Sequence, residues 1–242
     1  MSRRTLISII STIAIWGFLG AVIFLSLNRL NTAPQSDTPV ADTSLRYLAV
    51  GDSYTIGTSV ETRENWPSQL TTKLVAGGIQ IRLVDTIAQN GWTTTDLLET
   101  GLTRIADSKY DLITLQIGVN DWVQKVPISD FTRRVEEIVD KLVPQLPDST
   151  RLVLISIPDL SSAPAAVAFG DRLTILKGIS SFNIALKDLA ARRQVTFVDI
   201  YDISQRMRNL DSYIAADNLH PSGKMYYLWV ERIYPVVREL VK

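Results

Sequence analysis

The chain contains one histidine, His220, three residues after a carboxylate in Asp217-Asn218-Leu219-His220-Pro221. At that spacing a turn lets the carboxylate accept a hydrogen bond from one ring nitrogen while the other faces a substrate. This is how a general base is held in a single tautomer. Gly51-Asp52-Ser53-Tyr54 places a serine just past an apolar run, and a serine hydroxyl becomes a useful nucleophile only beside such a base. Gly118-Val119-Asn120-Asp121 follows a second apolar run. The Asn120 amide can donate to a developing oxyanion, a contact typically worth about 3 kcal/mol of transition-state stabilisation. Gly91, in Gln89-Asn90-Gly91-Trp92, can let a backbone N–H approach the same oxyanion. No second histidine exists to act as a rival imidazole base.

Each residue also has a plainer reading. Ser53 suits a helix cap after a strand, and Asp52 is structural in either case. Asn120 and Gly91 are ordinary turn residues. Asp217 and His220 can be no more than a turn before a helix. Tyr54, Trp92 and Trp122 adjoin the proposed reactive residues, so they can wall a substrate pocket or simply fill core. Asp159, after Pro158, reads as a turn residue before it reads as a pocket one. What favours chemistry is the pairing of His220 with Asp217 and the position of each polar loop at the end of an apolar segment.

Those segments set the architecture. Apolar, β-branched runs at 46–50, 79–87, 111–117, 151–157 and 195–199 predict five strands. Helical periodicity predicts helices over 66–76, 93–106, 130–143, 173–193 and 222–240. Gly77-Gly78 stops the first and Pro144 closes the third. The fourth starts near Asp171, and Pro221 is placed in the first turn of the last. Strands that alternate with helices and are apolar throughout imply a parallel sheet covered on both faces. In such sheets ligands bind at the carboxyl ends of the strands. Ser53, Gly91, Asn120 and Asp159 all fall just after a predicted strand.

Composition excludes other classes. Net charge is zero, so there is no basic footprint for nucleic acid. Without cysteine there are no disulfides, thiolate metal sites or lipidated cysteines. One histidine and no cysteine argue against zinc, while an all-oxygen calcium site stays open to counting. At the N-terminus, Arg3-Arg4 precede an uncharged run over 5–28. It supplies the ~20 apolar residues a bilayer-spanning helix needs, whereas a cleaved signal has a core of about 7–15. Residues 1–30 therefore read as a single-pass signal anchor, with a cleaved signal peptide as the alternative. The charge bias keeps the N-terminus cytoplasmic and exports the rest. Residues 31–44 are polar and proline-punctuated, a flexible tether, and the folded domain spans 45–242. With Arg3, Arg4, Arg29, Asp37 and Asp42 set aside, that domain is near neutral and offers little electrostatic steering.

Taken together, the Ser53, Gly91, Asn120 and Asp217–His220 blocks resemble those of the SGNH, or GDSL-type, hydrolase family, in the family's order and across most of the folded part. The Asn90-Gly91 match is the least specific. Tyr54 stands where the name-giving leucine usually is, a departure common in the family. The resemblance implies a three-layer α/β/α fold around a mostly parallel sheet of about five strands. It also implies serine-dependent ester hydrolysis that calls on neither metal nor cofactor. Ser53 would be the nucleophile, His220 the base and then the acid, and Asp217 the residue orienting it. The backbone N–H groups of Ser53 and Gly91, with the Asn120 side chain, would form the oxyanion hole. The expected substrate is a small-molecule, lipid or glycan ester. An O-acetyl esterase or acyltransferase acting on envelope polysaccharide is the alternative, and a non-catalytic binding domain is a third reading that the intact residue set disfavours.

Overall fold

Leu45–Gly51 forms strand β1 because five of its residues, Tyr47 to Gly51, are buried, which suits a strand covered on both faces. The computed structural model describes residues 43–105 and 109–242. The remaining strands are β2 (Ile81–Ala88), β3 (Leu112–Gln116), β4 (Leu152–Ile155) and β5 (Thr196–Val198). All pair in parallel, in the order β2-β1-β3-β4-β5. The long helices are α1 (Trp66–Ala76), α2 (Ile128–Leu142), α3 (Arg172–Arg193) and α4 (Gly223–Leu240). Helix α1 packs on α4 and α2 packs on α3, which gives two helical layers around the sheet. The predicted anchor over 1–30, and the tether up to Asp42, lie outside the described residues. Among the described residues no helix is long and apolar enough to cross a membrane.

The strand order positions the site. From β1 the chain moves to one edge, then returns past β1 to β3. Their carboxyl ends therefore diverge, and a crevice opens at this switch point. Ser53 follows β1 and Asn120 follows β3, so the two loops face each other across it. Strand β5, by contrast, lies at the far edge. The chain after it must run back along the carboxyl edge to bring His220 to β1. Hydrogen bonds hold this return path: Ala215 N–H to His220 O at 2.8 Å, Ser222 N–H to Tyr213 O at 2.9 Å and Ala165 N–H to Asn218 O at 3.0 Å. Gln69 of α1 donates to Gly223 O at 2.9 Å and fixes the start of α4.

Two predicted elements differ. The helix expected over 93–106 is a capped turn at Thr94–Asp96, a π-helical stretch at Leu97–Gly101 and a 3₁₀ turn at Leu102–Arg104. Trp92 packs so closely on Gly101 that a β-carbon there would come within 2.7 Å of the indole. That contact fits the wider helical turn. Pro221 is not in the first turn of α4. Ser222 caps the helix by accepting from Met225 N–H, and Pro221 precedes the cap, in a β-bridge with Ile214.

Past β4, a side chain from α3 replaces the sheet ladder. Buried Asn183 accepts from Ile157 N–H and donates to Ile157 O, both at 2.8 Å. Asn183→Ala would leave both backbone groups buried and unpartnered. The expected loss is about 2 kcal/mol of folding stability, measured by urea unfolding.

Candidate active site

Ser53 opens a one-turn helix, Ser53–Ile56, directly after β1. Asp52 caps that turn by accepting from Tyr54 N–H at 3.0 Å, and Gly57 closes it with φ +80°. The strand and both caps leave the serine little freedom, and it is only 6% exposed. His220 is 9% exposed, and its Nε2 lies 2.9 Å from Ser53 Oγ. Its Nδ1 lies 2.6 Å from Asp217 Oδ2. Asp217 Oδ1 accepts from the Leu219 and His220 amides, both at 2.9 Å, so the carboxylate is clamped to its own turn. Asn218, at φ +60°, makes that turn tight enough to work. Burial opposes ionisation of Asp217. Hydrogen bonds from Ser59, from the His220 amide and ring and from Leu219 outweigh it and hold the carboxyl well below the usual carboxylate range. An ionised Oδ2 requires the proton on Nδ1, which turns the Nε2 lone pair toward Ser53.

Across the crevice, Asn120 lies in the short helix Val119–Val123 after β3. Its Nδ2 donates to Trp92 O at 2.9 Å, which orients the amide and leaves a second N–H on the same nitrogen for a ligand. Gly91 is exposed, with φ +79°, a backbone conformation that side chains disfavour. Asp121, whose role the sequence did not reveal, ties these two loops together. It is buried and accepts from Thr94 N–H at 2.9 Å and Thr94 Oγ1 at 2.5 Å. An acid directly after Asn120 was the only available hint, and nothing local identifies Thr94 as its partner.

The three aromatic pocket candidates differ in placement, and Trp122 lines a surface cavity, beside Phe169 and Phe182. Tyr54 is buried edge-on against the His220 ring, with centroids 5.5 Å apart, and leans on Trp229. It supports the imidazole from behind instead of facing the crevice. Trp92 packs on Gly101, and Trp122 packs on Gly178 of α3. Asp159 is a turn residue, capping Ser161 at 3.0 Å. Among the described residues no cluster of three histidine or carboxylate groups is placed to hold a metal ion.

Residues 49–228 match the family described as GDSL-like Lipase/Acylhydrolase. The chain belongs to that family. The fold is shared with solved structures of low sequence identity. One is a lipolytic G-D-S-L family protein from Veillonella parvula, 16% identical with a TM-score of 0.62, covering 80% of this chain and 98% of that one. Another is an acetylxylan esterase from Geobacillus stearothermophilus, 17% identical with a TM-score of 0.61, covering 80% and 94%. A multidomain esterase of Ruminococcus flavefaciens is 29% identical over 131 residues, 51% of this chain. The chain spans 15% of that relative's length.

Asp52 gives a test of the site's electrostatics. Burial raises its carboxyl to about 7, with the Asp121 charge adding to the rise and the Tyr54 amide opposing it. A carboxyl raised in the folded state contributes stability that is full below the unfolded value, ~4, and lost as pH climbs through the folded one. Asp52→Asn keeps an acceptor for Tyr54 N–H and removes the ionisation. In urea unfolding, the variant should gain on the wild type between pH 5 and pH 8. A constant difference across that window would contradict the assignment.

Proposed function

We propose that this protein hydrolyses carboxylic esters through an acyl-enzyme on Ser53. The observation that carries this reading is the unbroken relay from Asp217 Oδ2 through His220 to Ser53 Oγ, at 2.6 and 2.9 Å. In this reading it works together with Asn120, in the turn after β3, and with Gly91, in the turn after β2. His220 Nε2 takes the serine proton as Oγ attacks the ester carbonyl. Negative charge builds on the carbonyl oxygen, where the second Asn120 N–H and the Ser53 and Gly91 backbone N–H groups can receive it. The Ser53 amide belongs to the first residue of a helical turn, a position without an intrahelical acceptor. The imidazolium, held by ionised Asp217, returns its proton to the departing alcohol. Water then repeats the sequence in reverse, loses a proton to Nε2 and releases the acid and free Ser53. Apart from the ester and that water, each step is carried by groups of this chain.

For the substrate, an O-acetylated glycan is the favoured second reading beside simple acyl esters. The acetylxylan esterase among the structural neighbours supports it. The uncharged run behind Arg3-Arg4 supports a domain tethered at the outer face of the cytoplasmic membrane. Acyl transfer to a second alcohol differs from hydrolysis only in the acceptor.

Fluorophosphonate should label the wild-type protein stoichiometrically at Ser53. Ser53→Ala should abolish labelling and lower kcat on p-nitrophenyl esters by roughly 10³-fold or more. A wild type that takes no label and cleaves neither p-nitrophenyl esters nor acetylated xylan would sink this reading. Acetate release from xylan, set against hydrolysis of longer acyl esters, decides between the substrates.

A further inference from the structure

The relay does not end at Asp217. Ser59 lies at φ +66°, one of four non-glycine residues in the left-handed region among those described. A residue with a β-carbon enters that region at a steric cost. The conformation aims Ser59 Oγ at Asp217 Oδ2, 2.6 Å away and 158 residues distant in sequence. This is the same oxygen that meets His220 Nδ1. The preceding residue, Thr58, donates from Oγ1 to Asn90 Oδ1, on the residue before Gly91. Through Gly57 and Thr58, whose amides both bond to Ser53 O at 3.0 and 3.1 Å, the pair is also tied to the nucleophile's own turn. Two adjacent hydroxyls thus connect the Ser53 turn to the carboxylate loop on one side and to the Gly91 turn on the other.

We infer that Thr58 and Ser59 are positioning residues: Ser59 orients and tunes the Asp217 carboxylate, and Thr58 sets the glycine turn of the oxyanion pocket. The inference rests on the ester-hydrolase reading for its kinetic consequences, but its geometry stands apart from it. A hydroxyl donated to Oδ2 shares the charge that also binds Nδ1–H. Removing it makes Oδ2 a stronger acceptor, so the imidazolium is held more firmly. It also removes the hydroxyl that helps align Oδ2 with Nδ1, while the Leu219 and His220 amides still hold Oδ1. The other titratable groups near the relay are Asp52, Tyr54, Asp159 and Tyr226, on the β1 loop, the β4 loop and α4. None of them hydrogen-bonds Asp217 or His220.

Ser59→Gly is the decisive variant. Glycine adopts φ +66° freely, so the turn survives while the hydroxyl is lost. The expected result is a kcat roughly tenfold lower, the scale of one hydrogen bond to a charged group, with KM little changed. The acid limb of the pH–rate profile should move to higher pH, and Ser59→Ala should behave alike. Thr58→Val should lower kcat and leave the acid limb where it is. An active wild type whose Ser59→Gly form keeps both its kcat and its acid limb overturns the role of Ser59. An unchanged kcat in Thr58→Val overturns that of Thr58. A wild type inactive on every ester would count against the proposed function, and the present inference would still be decided. The chain has one histidine, so its NMR titration is unambiguous. If Ser59→Gly leaves that titration unmoved, the coupling through Asp217 does not exist.

Discussion

The Ser53–His220 hydrogen bond closes a gap of 167 residues, and the rest of the architecture is arranged around it. A parallel sheet places consecutive loops at one edge, but it does not make distant loops meet. Strand β5 is three strands away from β1, so the last loop must travel back across the carboxyl edge before α4 begins. Its backbone bond to the Pro164–Ala168 turn, its bridge at Pro221 and its link to α1 through Gln69 all serve that return. The packing of α4 on α1 makes the path permanent. Trp229 and Tyr226 are fully buried, and Tyr54 stands between Trp229 and the imidazole. The base is thus supported by the hydrophobic core and not by its loop alone.

A second constraint is electrostatic. Two buried carboxyls, Asp52 and Asp121, lie beneath the reactive edge, and burial pushes both up. Asp217 lies at the edge and is held down by four hydrogen bonds. One side chain type therefore plays two parts, set by surroundings. The buried acids cap and join loops through the hydrogen bonds they accept from Tyr54 and Thr94. The exposed acid must remain ionised to fix the imidazole tautomer. The number of donors around each carboxylate, together with its depth, accounts for the difference.

Much of the fold was legible in the amino-acid order. Helix α1 ends where Gly77-Gly78 ends its periodicity, and α3 begins at the Asp171 cap, because both signals are local. The five strands were legible because strands buried on both faces must be apolar throughout. The stretch after Trp92 was not. Its helical periodicity was real, but the close packing of Gly101 on Trp92 belongs to the tertiary fold, and the turn is wider than an α-helix. The start of α4 was misread for a related reason. Pro221 is as acceptable before a cap as after it, and only the bridge to Ile214 decides between them. The aromatic neighbours of the reactive residues also could not be read. Adjacency in sequence says nothing about which way a side chain turns: Trp92 and Tyr54 turn into packing, while half-buried Trp122 lines a surface cavity beside α3.

The sequence by itself determined the parts: which residues can react, that each follows a strand, and that Asp217 can reach His220 three positions on. Those are questions of residue type and short spacing, and local chemistry answers them. Only the tertiary structure decided that Ser53 meets His220, that Asp121 clamps Thr94, and that Ser59 reaches the same carboxylate oxygen as the imidazole. These contacts span between 27 and 167 residues. They depend on strand order and on how two helical layers pack, and no local pattern encodes either.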